Sequence, residues 1–132
     1  MAEVLLSDLK AARVIPLLYV ERKHRANMTY GELGRLINHN PHYLGNILDR
    51  VGAWCRVNGK SSLAMLVVDD DGRPRPGMYR NFPDDADPVT SESYEERRAR
   101  LLDEDWSDIV LPTGEDIADA YAEIVGRAAL QH

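Results

Sequence analysis

The chain has 132 residues, 44% of them apolar, and a formal net charge of −6 at pH 7. That length suits one domain with a real core, and no apolar run approaches the roughly 20 residues that a membrane span requires. A single cysteine, Cys55, excludes an internal disulfide and a cysteine-based metal site. The first ten residues lack the basic start and continuous apolar core of a signal peptide, so a cytoplasmic protein is expected.

The charge is segregated along the chain. Residues 10–60 carry nine Lys/Arg against three Asp/Glu, whereas residues 69–132 carry seven against seventeen. A basic front and an acidic back imply two surfaces with different partners, one surface that quiets the other, or solvated faces of a single domain.

Residues 2–26 read as helical, with a break or kink expected near Val14 to Pro16, because proline lacks a backbone donor and crowds the preceding turn. Ser7 is the candidate cap of the first piece. Arg22, Lys23, His24 and Arg25 close this segment, where cations complement the helix dipole or contact phosphate. Met28-Thr29-Tyr30-Gly31-Glu32-Leu33-Gly34-Arg35-Leu36-Ile37 follows. Thr29 and Glu32 have the spacing of a capping box, and Leu33, Leu36 and Ile37 fall on one helical face.

A polar break, Asn38-His39-Asn40, leads to Pro41, and Asn40-Pro41 is a favoured pair for N-cap and first helical position. The next helix is expected over 41–58. Its apolar stripe is Leu44, Ile47, Leu48, Val51, Trp54 and Cys55, and it leaves His42, Tyr43, Asn46, Asp49 and Arg50 on other faces. Asn58-Gly59 suits a left-handed helix end. Two short helices across a tight polar turn predict a helix-turn-helix, which presents its second helix to a DNA groove.

The apolar run 63–68 reads as a buried strand, Asp69-Asp70-Asp71-Gly72 as a turn, and 73–79, with its two prolines, as an edge strand or extended arm. Together they predict a hairpin wing with Arg73 and Arg75 near its tip. The three adjacent aspartates read as solvated turn residues rather than a metal site. Residues 81–90 form a polar, proline-bearing linker. Thr90 or Ser91 then caps a helix with Glu92, Glu95 and Glu96 in its first turns, followed by Arg97, Arg98 and Arg100. Tyr94, Leu101 and Trp106 are expected to point inward. Thr113 and Asp116 form a second capping-box pair, opening a helix with Ile117, Tyr121, Ile124 and Ala128 on its apolar face. That helix packs either on its own domain or on a second copy. The expected fold is mostly α (α+β): a winged helix-turn-helix over 1–80, a linker over 81–90, and an acidic helical extension over 91–132.

Met28 to Gly34 resembles the Ile-Thr-Tyr-Gly-Glu-Leu-Ala signature in the DNA-binding domain of alkylguanine-DNA alkyltransferases and alkyltransferase-like proteins. Leu44-Gly45-Asn46-Ile47-Leu48 is similar to that family's Val-Gly-x-Ala-Leu recognition-helix segment, and Val67-Val68-Asp69-Asp70-Asp71-Gly72-Arg73 to its Val-Val-x-Ser-Asp-Gly-Arg segment. The likeness spans roughly residues 15–80 and implies a winged-helix, DNA-binding fold. The family's repair chemistry needs a thiolate in a Pro-Cys-His-Arg setting, and that place falls here on Ala64. The arginine that replaces a flipped base aligns near His42, and the hinge asparagine near Val51, so alkyl transfer is not expected.

The expectation is a non-enzymatic winged-helix protein that binds double-stranded DNA without cofactor or metal. Its DNA-binding candidates are Thr29 and Tyr30 at the first helix start, Arg35, His42, Tyr43, Asn46 and Arg50 on the helix-turn-helix, and Lys60, Arg73 and Arg75 for phosphate or minor-groove contacts. The alternative is a protein-interaction module on the same scaffold, as a homodimer or with the acidic half docking a basic partner or masking the basic face. Neither reading involves a membrane.

Overall fold

A computed structural model of the chain describes residues 2–75 and 94–130. The fold is mostly helical, and its centre is α1 (Leu6–Lys23). Ala11, Val14, Ile15 and Leu18 recur on one face of this helix at helical spacing, and all four are fully buried. The expected break at Pro16 is absent, and α1 runs unbroken through it. An interior proline costs about 3 kcal/mol. Burying Val14, Ile15 and Leu18 on either side of it contributes about 1.5–3 kcal/mol each, which outweighs that penalty. Ser7 is not the cap either: the cap is Leu5, whose N–H donates to Asp8 Oδ2 at 2.8 Å.

After α1 come β1 (Met28–Thr29), α2 (Tyr30–Leu36), a 3-10 turn (Pro41–Tyr43) and α3 (Gly45–Val57). The capping box at the start of α2 is formed, with Thr29 Oγ1 accepting from Glu32 N at 3.1 Å. Asn40 Oδ1 accepts the His42 N–H at 2.9 Å, and this cap opens the 3-10 turn rather than α3. The helix expected over 41–58 is therefore two elements joined at Leu44. A second 3-10 turn (Leu63–Leu66) leads into β2 (Val67–Val68), so only the last two residues of the expected strand are extended. β2 pairs parallel with β1, Met28 opposite Val67 and Thr29 opposite Val68. The Asp69–Gly72 turn is closed by Gly72 N to Asp69 O at 2.8 Å, with Gly72 at φ +82. Residues 76–79, the rest of the return arm, the linker over 81–90 and the caps at Thr90 or Ser91 lie outside the described residues.

α1, α2 and α3 end in the same way. Arg25, Asn38 and Gly59 have positive φ. The N–H one residue beyond each reaches back to Glu21 O, Gly34 O and Cys55 O respectively, at 2.8–2.9 Å. These are Schellman motifs, which satisfy carbonyls that the helix leaves open. α4 (Tyr94–Asp103) packs on the second 3-10 turn, where the Tyr94 hydroxyl donates to Met65 O at 2.6 Å. α5 (Gly114–Leu130) lies across α1 and α3. Its capping box is formed, Thr113 N to Asp116 Oδ2 at 2.9 Å and Asp116 N to Thr113 Oγ1 at 3.2 Å. Leu101, Trp106, Ile117 and Ala120 join the residues of α1 and α3 in one apolar cluster.

Candidate functional site

Geometry redistributes the candidate residues. The largest change concerns α3, expected to read DNA. Eight of its thirteen residues are buried, because α1 packs on one side and α5 on another. Every member of the apolar stripe, Leu44 to Cys55, is in the core. Arg50 is buried too, and is not a DNA-facing residue. Its Nε donates to Asp8 Oδ1 at 2.8 Å, and its guanidinium stacks on the Tyr121 ring with Cζ 4.1 Å from the centroid. Asn46 is exposed but tied to the same assembly: Nδ2 donates to Ser7 Oγ at 3.0 Å and Oδ1 accepts from Arg50. The physical reason is α5, which carries Tyr121 over the flank of α3 that would otherwise face solvent.

A second group holds loops together. Tyr30 is buried, and its hydroxyl accepts the Arg75 N–H at 3.0 Å. The Arg75 guanidinium lies 4.0 Å above the Tyr30 ring, donates to Pro41 O at 2.9 Å and pairs with Asp69 at 3.1 Å. Arg75 thus clamps the turn after β2 onto α2 and the first 3-10 turn. Arg73, the other wing arginine, pairs with Glu95 at 3.0 Å on the surface. Lys60 reaches Asp105 O at 2.6 Å and Asp108 Oδ1 at 3.1 Å, its side chain 13% exposed. Thr29 commits its hydroxyl to the cap of α2. Tyr30, Arg50, Lys60 and Arg75 are structural ties here, since each found a partner distant in sequence.

Arg35, His42 and Tyr43 remain exposed, Tyr43 at 70%. They stand where α2 meets the first 3-10 turn, around a shallow depression lined by Arg35, Asn38, His39, Asn40 and His42, with no carboxylate in its lining. Gly34 lets the chain double back so closely: a Cβ there would sit 2.6 Å from His39 O and 3.2 Å from Pro41 Cδ. Lys10 of α1 reaches the same turn, with Nζ 3.2 Å from Asn38 O and 2.9 Å from His39 Nδ1. His39 Nε2 is 3.1 Å from Tyr43 O. An ammonium only donates and a carbonyl only accepts, so both contacts are satisfied by a ring with its proton on Nε2. Arg13, one turn along α1 from Lys10, is exposed, and neither Arg13 nor Arg35 forms an ion pair with another described residue. Sequence reasoning does not find Lys10, Arg13 and His39. The i, i+3 spacing of the two cations is visible there, but nothing local tells that α1 lies beside the turn.

The place aligned with the family's nucleophile, Ala64, is buried in the second 3-10 turn, next to the carbonyl that Tyr94 holds. Cys55 offers no substitute. Burial pushes its thiol up to about 12, against a weak opposing contact from Leu63 N–H at 3.5 Å, so it stays protonated near neutrality. Among the described residues no group of three His, Cys, Asp or Glu side chains converges as a metal site would, and no helix is long and apolar enough to cross a membrane. No family model, curated protein or solved structure matches this chain.

Proposed function

We propose that this is a non-enzymatic DNA-binding protein that grips the phosphate backbone of duplex DNA with the corner between α2 and the first 3-10 turn. The observation that carries the reading is the carboxylate-free depression lined by Arg35, Asn38, His39, Asn40 and His42, with Lys10 of α1 reaching the same turn and the exposed Arg13 one turn along that helix. Cations set in a polar surface free of carboxylates suit phosphate, whose contacts position a protein on DNA without reading its sequence. The exposed Tyr43 adds an aromatic face beside them. The resemblance of Met28 to Gly34 to the alkyltransferase-like signature supports the same class, and alanine at position 64 supports binding without alkyl transfer. Since α3 is occupied by α5, the mode proposed is backbone contact with little base discrimination.

Fluorescence anisotropy of labelled duplex DNA at several salt concentrations tests this. Affinity should fall steeply with salt, and the double substitution Arg13→Ala/Arg35→Ala should lower the log–log salt slope by about two, at roughly 0.9 for each phosphate left without its cation. Its melting temperature should stay at the wild-type value. No binding at low salt, or a double variant that binds like the wild type, would overturn the reading.

A further inference from the structure

A second surface lies away from that corner, and its chemistry is opposite. The end of α3, the loop before α5 and the first turns of α5 enclose a cleft of about 340 Å³. Its walls include Trp54, Val57, Val110 and Ala120, and its rim carries Asp116, Asp119 and Glu123. Val57 is 37% exposed and Val110 84%, so two apolar side chains stand at its edge in solvent. The lining contains three carboxylates and no lysine or arginine. Each carboxylate commits one oxygen to this chain: Asp116 Oδ2 to Thr113 N at 2.9 Å, Asp119 Oδ1 to Ala2 N at 3.2 Å, and Glu123 Oε1 to Arg127 at 2.5 Å. Their second oxygens have no partner among the described residues. The spacing of 116, 119 and 123 puts all three on one line of α5, spanning about 10 Å.

We infer that this cleft docks a basic amphipathic segment of a partner protein, an apolar side chain seated between Trp54, Val57 and Val110 while lysines or arginines line up on Asp116, Asp119 and Glu123. Charge selects the occupant. Nucleic acid and an anionic lipid surface are repelled by the carboxylate row. A two-fold contact with a second copy through the same face would set one acidic row against another. The exposed valines ask for an apolar anchor, which a simple cation lacks. A helix with cations at i, i+3 or i+4, and i+7 matches the row in spacing and sign, in the helix-in-groove mode of recognition.

The test is isothermal titration calorimetry with a helical peptide of leucine and lysine, its leucine–glutamate counterpart, and oligolysine as probes. The leucine–lysine peptide should bind and the other two should not. Val110→Asn, at a site too exposed to affect folding and without a change of charge, should weaken binding about tenfold by removing one buried apolar side chain from the complex. Glu123→Lys should weaken it several-fold more at low salt than at high salt. The Arg13→Ala/Arg35→Ala variant should bind the peptide like the wild type, which separates this surface from the DNA corner. Absent binding, equal binding of oligolysine, indifference to both cleft substitutions, or Val110-dependent self-association in place of peptide binding would each overturn the proposal.

Discussion

Arg50 and Arg35 belong to the same basic stretch of sequence, but one is tied into the interior and the other is left to solvent. Arg50 lies between Asp8 and Tyr121 with its side chain 7% exposed. Arg22 shares that fate: it donates to Leu101 O at 2.8 Å and to Glu104 O, against the Trp106 ring. Burial holds its guanidinium below the ordinary arginine value, with Glu104 opposing. Arg25 and Lys60 pair with Asp103 and Asp108 of the acidic half. Arg35, beside the turn after α2, and Arg13, on α1, form no ion pair with another described residue, while Lys10 spends its ammonium on Asn38 O and His39 of that turn. A windowed charge count therefore describes a surface only after the fold's own claims on each cation are subtracted. Two of the basic stretch's cations, Arg25 and Lys60, find carboxylates in the acidic half, whereas Arg50 finds Asp8 near the start of α1.

The strongest way to break this comparison is to remove a cation that the fold is argued to need. Arg50→Ala should destabilise the protein by about 3–5 kcal/mol, because the buried Asp8 loses its cation and keeps only the Leu5 N–H on its other oxygen. Chemical denaturation of both proteins gives the number directly. Replacing Asp8 and Arg50 together with apolar residues of similar volume should cost much less, since a buried pair is weak evidence of net stability. A single substitution that cost under about 1 kcal/mol would place Arg50 among surface residues and dissolve the contrast with Arg35.

How far the sequence foretells this arrangement depends on the range of the interaction. Thr29 with Glu32, Asn40 before Pro41, Thr113 with Asp116, and the Asp71-Gly72 turn are legible because each is completed within a few residues. The α3 stripe is legible for the same reason: periodicity alone reports which side is apolar. The fate of Arg50 is not, because both its partners come from distant segments and its offset places it at the flank of the stripe, where either environment is allowed. Pro16 misleads in the opposite direction, local chemistry arguing for a break that tertiary burial overrides. The run 63–68 shows a third kind of failure. An unbroken apolar segment identifies burial but not backbone shape, and the Ser62 cap on Ala64 N makes it a 3-10 turn before β2. The candidate DNA corner is half legible. Arg35 and His42 lie near the visible turn, whereas Lys10 reaches it only through the packing of α1.

A second substitution probes the shape of the exposed corner. Gly34→Ala adds helix propensity in α2, which alone would stabilise by about 0.5–1 kcal/mol. The new methyl would however meet His39 O at 2.6 Å, and backbone has no rotamer by which to yield. Overpacking of that kind costs about 1–3 kcal/mol, so the net effect should be a destabilisation near 1–2 kcal/mol. If the corner binds phosphate through its fixed shape, DNA affinity should fall with it. A variant as stable as the wild type, following propensity alone, would mean that the turn has slack.

Lys60 occupies the middle ground between the two regions and should give the smallest change. Its partner Asp108 is 73% exposed, so the ion pair itself is worth about 0–1 kcal/mol and should fade with salt. The contact to Asp105 O at 2.6 Å is different in kind, because a carbonyl at the start of the α4–α5 connection accepts from a charged donor whatever the ionic strength. Lys60→Ala should therefore cost about 1 kcal/mol, most of it surviving in high salt. Denaturation at low and high salt separates the contributions. A cost that vanished in salt would assign Lys60 to the screened surface with Arg35, whereas one of several kcal/mol would move it inside with Arg50. The intermediate, salt-resistant value is what a cation partway into the fold should give, and it would make burial of the partners, not the sign of the local sequence, the variable that sorts this chain's charges.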